Sequence, residues 1–314
     1  MKIAIIGSGF IGRAWAISFA RAGHDVALWD RDAAATGHAR AWICGVLDDL
    51  ARTELLRGQA PTAVLDRISP TAELADALDG AGHVQENAPE KPDVKREVFA
   101  LLDRLADADA IIASSSSALL PSTFTELLEG RHRCLVAHPL NPPYLIPAVE
   151  VVPAPWTSQR IVDRTRDLLA EAGHAPLVMK RELDGFIMNR LQGALLEEAF
   201  RLVADGYAGI EDVDIGIRDG LALRWSFMGP FETIDLNTPG GVRDYVERYQ
   251  GIYANLFTQM QRRVDWAGPV LETVEAARRE RLPEDRLGER RLWRDRRLMA
   301  LAAHKKRAEG EYGA

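Results

Sequence analysis

The 314-residue chain has only two cysteines, Cys44 and Cys134, and neither lies in a CxxC-like spacing. This scarcity excludes a disulfide framework and a cysteine-based metal site, so we predict two buried, reduced thiols and no metal. Long hydrophobic runs are also missing, and no stretch reaches the roughly eighteen apolar residues of a membrane-spanning helix. The sequence opens directly on a predicted strand without space for a signal peptide, and we therefore expect a cytoplasmic protein without a membrane partner.

Positive charge is in deficit as well. Lysine and arginine total 39 against 46 aspartates and glutamates, which gives a formal net charge of -7. A balance of this sign offers no basic surface for nucleic acid, so we expect no nucleic-acid partner, and an anionic small molecule would need a local cationic site. A hydrophobic content of 47% is ordinary for a globular protein, and the length suits two domains.

A glycine-rich turn stands near the start of the chain. The apolar run at residues 3–6 breaks at Gly7-Ser8-Gly9-Phe10-Ile11-Gly12 and passes into a segment with helical spacing. Gly7 permits a tight turn, Gly9 lets the backbone approach a pyrophosphate, and Gly12 lets the helix pack closely on the strand. Backbone N–H groups at the helix start, around Phe10 and Ile11, are then available to phosphates. The pattern predicts a dinucleotide-binding turn.

An acidic residue, Asp30, ends the second predicted strand, eighteen residues after Gly12. Its carboxylate can accept hydrogen bonds from ribose hydroxyls and would repel a 2′-phosphate, which favours NAD over NADP. Arg31 follows and weakens that exclusion. A strand-helix-strand unit without a dinucleotide is the alternative interpretation, and strand, glycines, helix and acid in register argue against it.

Strands alternate with helices over residues 1–184. Strands are predicted at 83–87, 110–114, 133–138, 148–152 and 175–179, helices at 94–106 and 158–172, and an inserted helical hairpin at about 33–67. The alternation predicts an α/β fold, a Rossmann-like, doubly wound and mostly parallel sheet that binds the dinucleotide. Residues 185–314 show helical patterns only, and we predict that they form an all-helical substrate and dimerisation domain.

Two helices of that second part have informative patterns. The one predicted at 185–205 has more apolar positions than one surface face requires, namely Phe186, Ile187, Leu191, Leu195, Leu196 and Phe200. Such a stripe favours a homodimer, with burial in the core as the alternative. The tail at 282–307 is densely charged and is predicted to be a largely solvated helix, with Leu287, Leu298 and Leu301 on one face.

A histidine and a glutamate form the best candidate for catalysis. His138 is the only one of seven histidines at a predicted strand end, where open parallel sheets bind ligands, and the other six are interpreted as loop or surface residues. Glu150 follows across a hairpin through Asn141-Pro142-Pro143. A carboxylate that holds one imidazole nitrogen raises the basicity of the other, so the pair can take the hydroxyl proton during hydride transfer.

Two further polar residues can contact the reacting oxygen. Ser117 closes the Ser114–Ser117 run after one strand, and Asn189 lies on the first helix of the second domain. Their side chains can hold a carbinol oxygen, which predicts a site in the cleft between the domains. A coincidental set of polar residues is the alternative.

These residues and their neighbours resemble the 3-hydroxyacyl-CoA dehydrogenase superfamily over the whole chain. The resemblance is carried by IAIIGSGFIGRAWA, VQENAPE at 84–90, SSSSALLPS at 114–122, VAHPLNPPYLIPAVEVVP at 136–153, DGFIMNRLQGALLEEAFRLV at 184–203 and MGPFETIDL at 228–236. It implies an NAD-dependent dehydrogenase with His138 and Glu150 as the catalytic dyad and with Ser117 and Asn189 on the reacting oxygen. It further implies that Glu90 and Lys95 lie near the nicotinamide, and Asn141 near the bound ligands.

Within the superfamily the chain most resembles the branch of lambda-crystallin and L-gulonate 3-dehydrogenase. The discriminating segments are AHPLNPPYLIP, where acyl-CoA enzymes typically carry an HFFNP-like sequence, LRWSFMGPFETIDLN at 223–237 and RRLWRDRRLMALAAHKK at 290–306. The resemblance implies oxidation of the 3-hydroxyl of a small free hydroxy acid, with Arg224 on the substrate carboxylate or in a structural salt bridge. An L-3-hydroxyacyl-CoA dehydrogenase, an L-carnitine dehydrogenase and a non-catalytic crystallin-like NAD-binding protein are the alternatives.

Overall fold

The computed structural model describes residues 1–313, which form two compact units. The first unit comprises residues 1–187 together with 292–313, and the second comprises residues 188–291. Within residues 1–313 no helix combines the length and the apolar character needed to cross a membrane.

The first unit is built on one eight-stranded sheet. Its strands are β1 (Lys2–Ile6), β2 (Asp25–Trp29), β3 (Ile68–Pro70), β4 (Ala81–Glu86), β5 (Ile111–Ser114), β6 (Cys134–Pro139), β7 (Ala148–Pro153) and β8 (Ala175–Val178). Its helices before the chain leaves the unit are α1 (Phe10–Arg21), α2 (Ala33–Arg52), α3 (Pro61–Leu65), α4 (Leu74–Leu78), α5 (Pro92–Leu105), α6 (Ser122–Thr125) and α7 (Gln159–Glu171). The spatial order is β3-β2-β1-β4-β5-β6-β7-β8, and β6–β7 is the single antiparallel pair in an otherwise parallel sheet. The predicted doubly wound, mostly parallel class is confirmed.

Helices cover both faces of this sheet, which explains why its strands are short apolar runs instead of alternating ones. In β1, Ile3 and Ile5 pack into the core that contains α1, whereas Ala4 and Ile6 pack into the core that contains Phe99 of α5. The strand order reverses between β1 and β4, so the carboxyl ends of these two strands open a crevice. Gly7 follows one of these ends, and Asn87 follows the other.

The second unit is helical and buries very little. It contains α8 (Met188–Ala204), α9 (Ile210–Ile215), α10 (Ala222–Trp225), α11 (Pro230–Asp235), α12 (Gly241–Gln259) and α13 (Pro269–Arg281), with a wider helical turn at Gly216–Leu221. Within residues 188–291 only Arg201, Thr233 and Val270 are buried, while Phe231 is 80% exposed. A unit of this length with three buried residues leaves its apolar side chains without cover.

The C-terminal helix α14 (Leu287–Tyr312) differs from its prediction. From residue 292 onward it belongs to the first unit and not to the helical one in which the sequence pattern placed it. Met299 is buried and Leu298 packs against the core around α1, whereas Leu301 is exposed. Arg296 adds an ion pair of 3.3 Å with Asp49 of α2. Of the predicted leucine face, Leu298 therefore packs against the core and Leu301 does not, and the buried residue is Met299, which lies outside that face.

Four burial predictions are wrong. Cys44 is exposed on α2, while Cys134 is buried as predicted. His24, His83 and His174 are buried and not at the surface. His83 lies within β4, which is covered on both faces, and the His174 ring packs edge-on against the Trp15 ring at 5.0 Å.

The buried histidines predict an acid-sensitive fold. Burial lowers the pKa of His83 and of His174 to about 4, from about 6.5 when unfolded. Between these values the unfolded chain binds protons that the folded chain does not, so the free energy of unfolding falls as pH falls from 6.5 toward 4. Each histidine contributes a loss of about 2 kcal/mol at pH 5. Urea denaturation at pH 7 and pH 5 measures this slope, which flattens in His83→Gln and is unchanged in His38→Gln, an exposed control.

Candidate active site

The glycine turn after β1 has the geometry that its spacing predicts. Gly7 has a φ of 94°, and a Cβ at Gly12 would lie 1.8 Å from the Gly7 carbonyl oxygen, so α1 packs tightly against the turn. A Cβ at Gly9, in contrast, would meet nothing within 4 Å. Helix α1 begins directly after Gly9 without a side-chain cap. Uncapped N–H groups beside open backbone are what a pyrophosphate requires.

The carboxylate of Asp30 is held in place at the end of β2. Its Oδ2 accepts hydrogen bonds from the backbone N and the hydroxyl of Ser8, at 2.7 and 2.9 Å. Its Oδ1 accepts one from the backbone N of Asp32, at 3.0 Å. The serine inside the glycine turn therefore fixes the acid that ribose hydroxyls would contact. Phe10, the first residue of α1, is 64% exposed, and Ile11 packs partly against the core. Turn, helix start and carboxylate together fit NAD.

His138 and Glu150 are direct cross-strand partners in the antiparallel β6–β7 pair. Partners of this kind project from the same face, so the register brings the two side chains together. The Nδ1 of His138 lies 2.6 Å from Oε2 of Glu150, whose side chain is fully buried. The Nε2 of His138 has no hydrogen-bond partner within residues 1–313 and is not sealed from solvent. One imidazole nitrogen is thus oriented by a carboxylate, and the other is open to a ligand.

A left-handed turn at residues 185–187 fixes the glutamate. Gly185 and Phe186 have φ values of 75° and 49°, a conformation that costs a phenylalanine about 1 kcal/mol. The Phe186 ring is fully buried, and its centroid lies 5.7 Å from that of the His138 imidazole. The turn directs the backbone N of Ile187 to donate to Oε1 of Glu150 at 2.6 Å. Both carboxylate oxygens are therefore engaged, which sets the orientation of the pair.

Glu90 organises the loop that carries Ser117. Its Oε1 accepts hydrogen bonds from the backbone N of Ser117, Ala118 and Leu119, at 3.1, 3.1 and 3.2 Å, and from the Ser116 hydroxyl. Burial alone raises the pKa of Glu90, but these hydrogen bonds and Lys95 outweigh it and the net pKa is lowered. Ser117 itself is exposed. Glu90 thus positions the serine loop as an ionised carboxylate.

Lys95 lies beneath the same region. Its Nζ donates to both carboxylate oxygens of Glu86 at 2.9 Å and to the Ala88 carbonyl at 3.0 Å, and its side chain is 1% exposed. These three bonds use all three ammonium protons. Lys95 therefore fixes the segment from Glu86 to Ala88 and has no donor left for direct contact with a ligand. Glu86 was not predicted from the sequence, although the VQENAPE run contains it.

A partly buried polar network, which was not predicted from the sequence either, joins three elements behind the turn. The Ser115 hydroxyl donates to Asn87 Oδ1 at 2.7 Å and accepts from Trp15 Nε1 at 3.0 Å. It also accepts from Gln85 Nε2 at 2.8 Å. The network ties α1 to the residues that end β4 and follow β5, next to the crevice. Its sequence signal is a polar residue, Gln85, inside an apolar strand, and a second one, Ser115, directly after another.

The remaining predicted site residues lie in three places. Asn141 is exposed in the loop between β6 and β7. Asn189 is the second residue of α8 and lines an open cavity of about 730 Å³ in the second unit. Arg224 is the third residue of α10, is exposed, and donates from Nη1 to Asn237 Oδ1 at 3.0 Å. The roles of these residues stay predictions.

The chain combines a doubly wound sheet, a glycine turn that fits NAD and a histidine-carboxylate pair at the same edge of the sheet. This combination is typical of NAD-dependent dehydrogenases that act on hydroxyl groups. The chain belongs to the 3-hydroxyacyl-CoA dehydrogenase family. The family's NAD-binding domain matches residues 2–182, and its C-terminal domain matches residues 185–279. The cofactor is accordingly NAD.

Relatives at about 40% identity span most of the chain. The lambda-crystallin homolog of Bos taurus is 41% identical over 96% of this chain and 94% of its own length. L-carnitine dehydrogenase of Streptomyces griseus is 38% identical over 83% of this chain and 77% of its own. Among solved structures, the NAD⁺-dependent dismutase 5-formyl-3-hydroxy-2-methylpyridine 4-carboxylic acid 5-dehydrogenase is 28% identical. It covers 98% of both chains with a TM-score of 0.83.

Proposed function

We propose that the protein oxidises the 3-hydroxyl of a small free hydroxy acid, L-gulonate or a similar polyhydroxy acid, with NAD as the hydride acceptor. The observation that carries the proposal is the 2.6 Å contact between His138 and Glu150 at the sheet edge that also holds the glycine turn. A base oriented by a carboxylate beside a dinucleotide site is the arrangement that alcohol oxidation requires.

In this mechanism His138 Nε2 accepts the proton of the substrate hydroxyl, while the hydride leaves the carbon that bears this hydroxyl. NAD bound at the turn supplies the hydride acceptor. Glu150 keeps the imidazole in the tautomer whose Nε2 is a base and stabilises the imidazolium that forms. The Ile187 N–H holds the other oxygen of Glu150, so the carboxylate keeps its orientation during proton transfer.

Ser117 and Asn189 are the proposed contacts to the reacting oxygen. Each can donate a hydrogen bond to an oxygen that gains negative character as its proton leaves. The exposed Ser117 belongs to the loop that the Glu90 carboxylate fixes through three backbone N–H groups. Glu90 and Lys95 then act as positioning residues for this loop and for the nicotinamide side, and Asn141 contributes from the β6–β7 loop.

The helical hairpin of α2 and α3 supports a free acid over an acyl-CoA thioester. It contains no lysine, and its arginines are engaged within the first unit. Arg40 donates to the Ile68 carbonyl, Arg57 to the Glu171 carbonyl and Arg67 to Gln59, while Arg52 pairs with Asp49. No cationic cluster for the phosphates of coenzyme A results. One solved relative also acts on a carboxylic acid.

Arg224 is the proposed partner of the substrate carboxylate, because a planar guanidinium binds a carboxylate through two parallel hydrogen bonds. Arg224→Leu is expected to raise KM for the acid by about 10- to 100-fold, the value of one charge-assisted contact, with an unchanged melting temperature. Steady-state kinetics measures the change, and Arg243→Leu is the matched exposed control. Kinetics equal to wild type would make Arg224 a structural residue.

Formation of NADH across a substrate panel tests the proposed function. The panel holds L-gulonate, L-carnitine, L-3-hydroxybutyrate and L-3-hydroxybutyryl-CoA at saturating NAD. Turnover of a free acid alone supports the proposal and identifies the branch. Preference for the thioester makes the protein a 3-hydroxyacyl-CoA dehydrogenase, and NADH binding without turnover makes it a crystallin-like NAD-binding protein.

A homodimer in the cytoplasm is the proposed working form. The second unit buries only three of its residues. Leu191 of α8 is 65% exposed, and many other apolar side chains of this unit are also exposed. A second copy of the chain covers such a surface through the same patch on both subunits. Light scattering of the purified protein gives the stoichiometry, and a monomer at micromolar concentration contradicts it.

A further inference from the structure

Arg13 directly follows Gly12, and its guanidinium stacks on two aromatic rings. Its guanidinium carbon lies 3.9 Å from the centroid of Trp42 on α2 and 4.6 Å from the centroid of Phe10 on α1. Stacking on aromatic faces fixes the plane of a guanidinium, and with it the direction of its N–H groups. The cation is therefore pre-oriented.

The Arg13 guanidinium has no hydrogen-bond or ion-pair partner among residues 1–313. Within residues 1–313 Arg13 has neither a carboxylate partner nor a side-chain hydrogen bond; its Nε is buried without an acceptor, and its two Nη groups are not sealed from solvent. Burial lowers the pKa of Arg13, yet a guanidinium stays charged. Arg21 on the same helix also has a buried Nε without an acceptor, but its Nη1 donates to the Tyr144 and Leu55 carbonyls, whereas the Nη groups of Arg13 have no such acceptor. A partly desolvated and unpaired cation is costly unless a ligand supplies the anion.

We propose that Arg13 is an oxyanion-binding residue whose two Nη groups hold either the phosphate oxygens of NAD or the carboxylate of the hydroxy acid. On one side its side chain runs back over Phe10, the first residue of α1, beside the open backbone of Gly9. On the other side, Trp42 contacts the ring of Tyr144, in the loop between the strands of the His138–Glu150 pair, with 6.3 Å between centroids. The carboxylate alternative rests on the proposed function, and the phosphate alternative does not.

Two substitutions at position 13 test the proposal. Arg13→Met keeps an apolar stem on the two rings but removes the charge, and Arg13→Lys keeps the charge but removes the two-pronged donor. Fluorescence titration gives the dissociation constant of NADH, and calorimetry gives that of L-gulonate for the NADH-loaded protein, each at low and high KCl. We expect Arg13→Met to raise one of these constants by about 10- to 100-fold, and Arg13→Lys to raise it less. The salt dependence of that constant should weaken in Arg13→Met.

The constant that rises identifies the ligand. Arg52→Met on the outer end of α2 is the control and should leave both constants unchanged. If both constants in Arg13→Met stay within about twofold of wild type while the melting temperature falls, Arg13 only braces α1 against α2 and the proposal is overturned. Should Arg13→Met fold poorly, Arg13→Lys carries the same comparison. If no acid in the substrate panel is oxidised, the proposed function fails. The NADH titration of the Arg13 variants still tests this inference, because it needs no acid substrate, so the two failures can be told apart.

Discussion

Replacing His138 with glutamine should reduce kcat by about 10²- to 10⁴-fold, the range over which a positioned general base acts. A glutamine side chain has no basic nitrogen, so the hydroxyl proton has no acceptor when the hydride leaves. The glycine turn and Asp30 lie on other strands, so the dissociation constant of NADH should stay within about twofold of wild type. Stopped-flow measurement of NADH formation in a single turnover separates proton and hydride transfer from product release.

Glu150→Gln is the informative companion to this substitution. The amide keeps an oxygen that can accept from the Ile187 N–H, but it removes the charge 2.6 Å from the imidazole. A loss of kcat with unchanged NADH affinity is expected here too, because the imidazolium loses its counter-charge. If His138→Gln turns over at close to the wild-type rate, histidine is not the base and the proposed mechanism fails.

Seven of the eight strands could be predicted from the sequence because their signals are local. Strands β4 to β8 lie within one or two residues of their predicted ends, and the helical hairpin appears as α2 and α3. Strand β3, at Ile68–Pro70, was missed because three residues that include a proline give no periodicity. The burial of His83 was missed for a related reason, since a histidine inside an apolar strand is pointed into the core by its neighbours and not by its own polarity.

In the candidate site, too, the contacts with a local sequence signal were predicted, and those that depend on tertiary packing were not. The His138–Glu150 contact followed from a hairpin in which the two positions are twelve apart, because hairpin strands pair in a register that short loops restrict. The contacts of Ser115 with Gln85 and Trp15 could not be derived in this way. They depend on the parallel register of β4 and β5 and on how α1 packs over them, which no local pattern encodes. The stacking of Arg13 on Trp42 depends likewise on helix packing.

The cofactor turn provides the second large expected effect, through two alanine substitutions that differ by three positions. In Gly12→Ala the new methyl would lie 1.8 Å from the Gly7 carbonyl oxygen, a backbone atom that cannot move without opening the turn. We expect the free energy of unfolding to fall by about 3 kcal/mol or more, beyond the usual cost of overpacking, and NADH binding to be lost with the turn geometry. Thermal and urea denaturation of the protein without NADH measure the first effect.

Gly9→Ala separates cofactor binding from folding at the same turn. Its methyl would meet no protein atom within 4 Å, so stability without the cofactor should match wild type. The same methyl stands where the backbone has to approach the pyrophosphate, and the dissociation constant of NADH should rise by at least about tenfold. An unchanged affinity in Gly9→Ala would show that the pyrophosphate does not lie against this glycine. Equal destabilisation in both variants would show that the turn relaxes as a whole, so that the tight contact of Gly12 with Gly7 is not what sets its geometry.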